Sequence, residues 1–254
     1  MIILILAFIV SLVPSILILL WLRKRNEENQ LYKDCCKSAA IRGCVCVLPV
    51  IGVSMVLWLG LVITRFALKV THISNMNQLL YKAIYTVVVL AFAEELVKYL
   101  AFRGLLKKKT YEYTWADITA FMTIIGLTFG LLEDIPYAFG ASPIVMLVRG
   151  VTMGHIGYGF IMGWFFGKRL YTGKKKYGLI AFLLPWALHG AYDFSLSPEL
   201  MKVNDNFAGI GVSLAVVDII LLVLMIRFFV KARKKDVYNQ PLDLSSLESK
   251  KVEE

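Results

Sequence analysis

Polar sequence is scarce in this chain. Only short loops separate its apolar runs, and none of them is long enough to fold as a soluble recognition domain. Period-two alternation is lacking too. The apolar runs are long and continuous, which excludes a β-barrel and leaves helices as the way to cross a bilayer. At 58% hydrophobic residues, the chain exceeds the roughly 45–50% of soluble domains. A mean hydropathy of +0.68 agrees. Cysteine is limited to Cys35, Cys36, Cys44 and Cys46. Their C-C-x7-C-x-C spacing does not match the paired C-x2-C of a zinc knuckle. They read first as small apolar residues, with lipidation or a structural metal as alternatives. Acidic residues are outnumbered, leaving a net charge of +10. The basic residues form short clusters beside apolar runs, a pattern of membrane orientation and anionic-lipid contact rather than of nucleic-acid binding.

Seven apolar runs follow in order, at about 2–22, 43–68, 80–106, 115–139, 144–167, 177–194 and 207–230. The first lacks a basic leading segment and a small-x-small cleavage site, so it reads as a retained anchor. Asn26 to Ser38 reads as a loop or short amphipathic piece. Residues 1–230 are thus expected to form one polytopic domain, and 231–254 a charged, mobile cytoplasmic tail. Arg23-Lys24-Arg25, Lys107-Lys108-Lys109, Lys174-Lys175-Lys176 and the cluster after Lys231 all fall in odd loops or the tail. The even loops carry little beyond Lys69, Lys82 and Lys202. The expected fold class is therefore an all-α integral membrane protein. It is a bundle of about seven transmembrane helices with the N-terminus outside and the C-terminus in the cytoplasm. A disulfide among the four cysteines is not expected on that reducing side.

Ionisable residues inside these runs are the informative exceptions. Glu94, Glu95 and Lys98 interrupt the third run, where each charge at membrane depth costs on the order of 3 kcal/mol. The fourth run carries Glu133 and Asp134, the fifth Arg149 and His155, the sixth His189 and Asp193, and the seventh Asp218. Each has a plain explanation alone. Lys98 can pair with Glu94 at i+4, Arg149 can neutralise Glu133 or Asp134, and Asp218 can be protonated or bonded to a neighbouring helix. Together they suggest more. His189 and Asp193 project from one helical face, and imidazole with carboxylate suits zinc with an open position for water. A nearby Glu could take a proton from such water. Phe129 and Glu133 are one turn apart, so Phe129 is placed to wall the site off. Gly150, Gly154, Gly157, Gly159, Gly163 and Gly167 stripe the fifth run and favour close helix approach.

Glu94-Glu95-x-x-Lys98, Phe129-x-x-x-Glu133, His155 in a glycine-rich span and His189-x-x-x-Asp193 resemble the PrsW family of intramembrane metalloproteases. That family is similar to a wider group holding the type II CAAX prenyl proteases and bacteriocin-processing proteases. Glu133 stands where the CAAX-type enzymes have histidine, which favours the PrsW branch and argues against prenylated substrates. The resemblance covers about residues 83–194, within an expected protease-like core at about 80–195. It implies a bacterial plasma-membrane protease. It also implies, as substrate, a membrane-anchored protein such as a single-pass anti-sigma factor, cut on the outer side in an envelope stress response. The residues it marks are Glu94, Glu95, Glu133, His155, His189 and Asp193.

The roles assigned from the sequence are as follows. Glu133, His155, His189 and Asp193 hold Zn²⁺ or another divalent metal, Asp193 directly or through a histidine. Glu94 or Glu95 is the general base. Lys98 orients the other carboxylate or stabilises the oxyanion. Metal-free chemistry, with Glu activating water and His holding the oxyanion, is the alternative within the family. The alternatives outside it are an ion- or proton-coupled transporter and a non-catalytic scaffold. Against the transporter stand the lack of an internal repeat and a fifth span read as uninterrupted. By depth, His155, His189, Glu133 and Asp193 fall between the midplane and the outer surface. Glu94 falls at or below the midplane.

Overall fold

The computed structural model describes residues 2–70, 77–107, 111–140, 149–150, 152–197, 200 and 208–244. Nine α-helices can be followed in these residues: α1 (Ile2–Arg23), α2 (Gln30–Val45), α3 (Val47–Val70), α4 (Gln78–Ile84), α5 (Phe92–Leu106), α6 (Trp115–Gly140), α7 (Gly154–Thr172), α8 (Lys176–Ser195) and α9 (Ala208–Ala232). A π-helical turn, Tyr85–Ala91, joins α4 to α5. No strand occurs among the described residues; β-pairing is limited to one isolated bridge between Thr114 and Pro241. The starting point of the fifth run at Ile144 and the loops around Ser142 and Lys202 lie outside the described residues.

Among the described residues, three helical stretches are long and apolar enough to cross a membrane: Gln30–Val70, Trp115–Pro136 and Ile210–Ala232. They differ in burial. The apolar window of Trp115–Pro136 is 67% buried, against 17% and 28% for the other two. Helix α6 is therefore the axis of the bundle, and α3 and α9 are its apolar skin. Leu48, Val56, Phe66 and Val212 are each at least 66% exposed. A water-facing surface of that kind would be an aggregation hazard; against lipid tails it costs nothing.

Helix α6 starts with a reciprocal cap. Thr114 Oγ1 accepts from the Asp117 amide at 3.1 Å, and Asp117 accepts from the Thr114 amide at 3.2 Å. Asp117 also accepts from Tyr111 Oη at 2.9 Å and pairs with Arg25 beyond α1. Downstream, Ile118, Phe121, Met122 and Ile125 are fully buried.

Helix α7 crosses α6 on glycines. A Cβ added at Gly163 would lie 2.8 Å from Thr119 Cα, and one at Gly159 2.7 Å from the Met122 carbonyl oxygen. No side chain fits there, so the two backbones touch and dispersion replaces interdigitated side chains.

The structure decides one local alternative and corrects one expectation. The polar segment Asn26 to Ser38, expected as a loop or a short amphipathic piece, takes the second form, a helix with one buried face. It forms most of α2, which is capped by Asn29 and buries Tyr32, Cys35, Cys36, Ala39 and Gly43 against the bundle. Its buried face appears only when α6 is beside it. The tail expected to be mobile is docked through Leu244. Tyr238 packs against Trp115 and Phe228, Arg25 donates to Asn239 at 2.9 Å, and the Leu242 amide donates to the Tyr113 carbonyl at 2.9 Å. Cys35, Cys36 and Cys46 are buried, Cys44 is exposed, and none of the four is in a disulfide.

The α6–α7 crossing yields a direct test. Gly163→Ala is expected to destabilise the protein by about 1–3 kcal/mol through overpacking. Gly60→Ala, where a Cβ meets open space, should leave the melting temperature unchanged or raise it slightly. Thermal unfolding of both variants in one detergent decides. Equal responses would remove the close crossing from the account.

Candidate metal centre and active site

Two irregularities set the site's geometry. The first is the π-helical turn before α5. Its wider coil leaves the Val87 carbonyl to accept from Trp186 Nε1 at 2.7 Å as well as from the Phe92 amide. Gly190 lies against Val87 at the same level. Together these pin α8 to the start of α5, where Glu94 and Glu95 occupy the first turn. Such turns recur at functional sites.

The second is a break before α7. Met153 adopts φ +46°, the left-handed region that non-glycine residues avoid. The helix of the fifth run is therefore interrupted at Met153, where the sequence reading has it uninterrupted, and His155 sits in the first turn of α7. No compositional signal marked the break, because Met153 is an ordinary apolar residue flanked by tolerant glycine.

All seven residues singled out in the sequence meet in one cluster. His155 Nε2 and His189 Nε2 lie 3.9 and 3.7 Å from Glu94 Oε2. The two rings are edge to face with centroids 4.9 Å apart. Glu133 bonds His155 Nε2 through Oε2, and Asp193 approaches His189 Nε2 at 3.2 Å.

Each ring is also held from behind. His189 Nδ1 donates to Glu95 at 2.9 Å, and Lys98 Nζ donates to His155 Nδ1 at 3.1 Å. Lys98 and Glu95 are themselves paired at 2.5 Å. The adjacent glutamates thus divide: Glu94 turns toward the space between the imidazoles, Glu95 toward the wiring behind them. Lys98 pairs with Glu95 at i+3, not with Glu94 at i+4, because Glu94 is turned away into the site. Lys98 is 1% exposed and also sits 4.6 Å from the centre of the Phe129 ring. It is committed to the interior and does not line the cleft.

Residues weighed only briefly in the sequence complete the surroundings. Arg149 bridges Glu133 at 3.2 Å and Asp134 at 2.7 Å. Phe129 stands edge-on to His155 at 5.1 Å. Tyr158 stacks on His189 at 5.2 Å and donates to Asp218 of α9 at 3.4 Å. The hydroxyl explains why a carboxylate is tolerated in that apolar helix. The stack was invisible in the sequence because Tyr158 and His189 belong to different helices. A cleft of about 50 Å³ opens beside the cluster, lined by Ser15, Glu133, Arg149, His155, Tyr192 and Asp193 among others. Its scale suits an ion or a few waters.

The depth conflict also resolves. Counted by helical rise from Leu106 and Lys176, Glu94 is ~18 Å and His189 ~20 Å along their helices. Glu94 is level with His189, not below it.

The donor set fits a divalent metal. Glu94, His155 and His189 can offer one ligand atom each, all within 4.8 Å of one another. Glu94 Oε2 is buried without a hydrogen-bond partner among the described residues. A carboxylate oxygen left bare in an apolar bundle is costly unless a cation meets it. Imidazole nitrogens with carboxylate oxygen suit zinc, and the carboxylate behind His189 is the usual support for such a ligand. His155 adds a condition. With Lys98 donating to Nδ1, the ring proton lies on Nε2, so ligation through that nitrogen displaces this proton and leaves the Glu133 carboxylate beside the site.

Similarity to known proteins extends over most of the chain. The profile of the PrsW family intramembrane metalloproteases matches residues 41–227, well over half of the chain. The chain is similar to Protease PrsW of Clostridioides difficile, 23% identical over 202 residues, or 76% of this chain and 79% of that protein. It is also similar to Protease PrsW of Oceanobacillus iheyensis, 32% identical over 111 residues. That match takes in 42% of this chain and spans about half of the Oceanobacillus protein, 52%. A third similar protein, Protease PrsW of Geobacillus kaustophilus, is 33% identical over 84 residues, 32% of this chain and 37% of that protein. No solved structure matches. The matched segment contains every residue of the cluster, and the chain belongs to the PrsW family of intramembrane metalloproteases.

Proposed function

We propose that this chain is a seven-span endopeptidase of the bacterial plasma membrane that hydrolyses a peptide bond in a membrane-anchored protein. In this reading His155, His189 and Glu94 hold a divalent metal, zinc by the donor set. The observation that carries it is the convergence of two imidazole Nε2 atoms on Glu94 Oε2, a buried carboxylate oxygen with no hydrogen-bond partner among the described residues. A bound zinc supplies Lewis acidity and brings the pKa of water to about 7.

The chain's own residues supply the remainder. Glu133 is the base. It is the more exposed carboxylate, with a side chain 22% accessible against 11% for Glu94. It lines the cleft, and Arg149 steadies it from one side. This exchanges the roles assigned from the sequence: Glu94 becomes a ligand and Glu133 takes the proton. Glu95 holds the His189 ring through Nδ1, and Lys98 holds Glu95. Both are positioning residues. Asp193 is the remaining carboxylate near His189 Nε2, as fourth ligand or as its hydrogen-bonded support. Phe129 and Tyr158 cover the imidazoles and keep lipid and bulk water away.

The substrate we infer is a single-pass protein such as an anti-sigma factor, cut toward the outer side. The support is the family resemblance, together with a cluster that stands ~18–20 Å from the lysine-rich helix ends, beyond the middle of a ~30 Å hydrocarbon core.

One observation favours a metal-free variant of the same reaction. Lys98, His155 and Glu133 form a continuous hydrogen-bonded line, through which Glu133 would activate water directly. Paired metal and cleavage measurements on purified protein separate the two. Glu133→Gln is expected to retain metal while losing about 10²–10⁴ in cleavage rate, the usual contribution of a general base. Glu94→Gln is expected to lose metal and activity together. Retained metal in Glu94→Gln with loss in Glu133→Gln would restore the original roles. Full cleavage by metal-free wild type would establish the variant.

The transporter and scaffold readings meet a cellular test. In comparative membrane proteomics, a Glu133→Gln strain should lack at least one fragment of a membrane-anchored protein that wild type produces, at equal levels of the protease. Identical fragment sets under envelope stress would contradict proteolysis.

A further inference from the structure

A second feature lies at the other end of α7. Between α7, α8 and α9 runs a groove of about 750 Å³. Phe160 and Trp164 of α7, Leu184 of α8, and Leu224 and Phe228 of α9 form its apolar walls. Arg227, Lys231 and Lys234 form its rim. Those three follow one another at intervals of four and three, so they share one face carried just past the last turn of α9. All are exposed, and none makes an ion pair with a described residue.

Arg227 is the informative member. It lies inside the apolar segment Leu221–Val230, about 7 Å of helical rise short of the end of α9. A lone guanidinium there is costly unless an anion meets it. The guanidinium fork matches two phosphate oxygens. An acyl chain fits the apolar walls directly beneath. Lys231 and Lys234 would favour a headgroup with net negative charge over one that carries its own ammonium.

We infer that this groove is a binding site for an anionic phospholipid of the leaflet at the lysine-rich side, with its phosphate on Arg227, Lys231 and Lys234 and an acyl chain along Trp164 and Leu224. The occupant is a lipid and not the substrate's helix, because the groove is remote from the cleft: Trp164 stands about 13 Å of rise along α7 from His155. The inference does not depend on the protease reading.

The test is native mass spectrometry of the purified full chain, titrated separately with phosphatidylglycerol, phosphatidylcholine and inorganic phosphate. Wild type should retain one phosphatidylglycerol at least about tenfold more tightly than phosphatidylcholine. Equimolar inorganic phosphate should not displace it. The R227Q/K231Q/K234Q variant should bind both lipids alike. Leu224→Trp, which fills the apolar wall and leaves the charges in place, should also lose the bound lipid. A tenfold preference that survives in both variants would overturn the site. So would equal affinity of wild type for the two lipids, or displacement by free phosphate. Crosslinking of a substrate helix from position 224 with no lipid preference would assign the groove to the substrate instead.

Discussion

A charge in the middle of an apolar bundle must be answered by another, and the Glu95–Lys98 pair is where this chain meets that demand. Both side chains are at most 1% exposed. Removing one partner of such a pair costs about 3–5 kcal/mol, because the other is left buried and bare. The pair is not self-sufficient. Glu95 also receives His189 Nδ1–H, and Lys98 also reaches His155 Nδ1. Satisfying the pair therefore fixes both imidazoles, and fixing the imidazoles turns their Nε2 atoms onto Glu94. Stability and site geometry are one network, which is why a mutation behind the site should alter what happens in front of it.

The helices serve that network. Glycines let α7 touch α6 over Gly159 and Gly163, the π-helical turn seats α8 on Val87, and the Met153 break brings His155 into the first turn of α7. The π-helical turn and the Met153 break lie toward the end of the bundle away from the lysines, and the glycine crossing runs from there to Thr119, close to Asp117. The lysine-rich end is built differently, from the Asp117 cap, the Arg25 pair and the docked tail. One end positions reactive side chains. The other locks helix ends together and presents basic residues to the headgroups.

Much of this was legible in the sequence, for identifiable reasons. Charges in apolar runs are expensive, so Glu94, Glu95, Lys98, Glu133, His155, His189 and Asp193 stood out at once. The long runs at 2–22, 80–106, 115–139 and 177–194 matched helical segments because apolar length is a strong signal. What escaped was whatever depends on a neighbour or on backbone shape. The buried face of α2 exists only beside α6, and Tyr158 is a site residue only because α8 brings His189 beneath it. The π-helical turn and the left-handed Met153 carry no residue signature. The division of labour between Glu94 and Glu95 needed coordinates, since adjacent residues on a helix differ by about 100° and only the position of the two histidines says which one faces them.

The central claim is that Glu94, His155 and His189 hold one divalent metal ion. Anomalous diffraction from crystals of the active wild-type protein, collected on both sides of the zinc absorption edge, tests it most directly. The account predicts a single edge-dependent peak bounded by the two Nε2 atoms and Glu94 Oε2. An active protein with no peak there, or a peak held by other residues with Glu94 turned away, would contradict it.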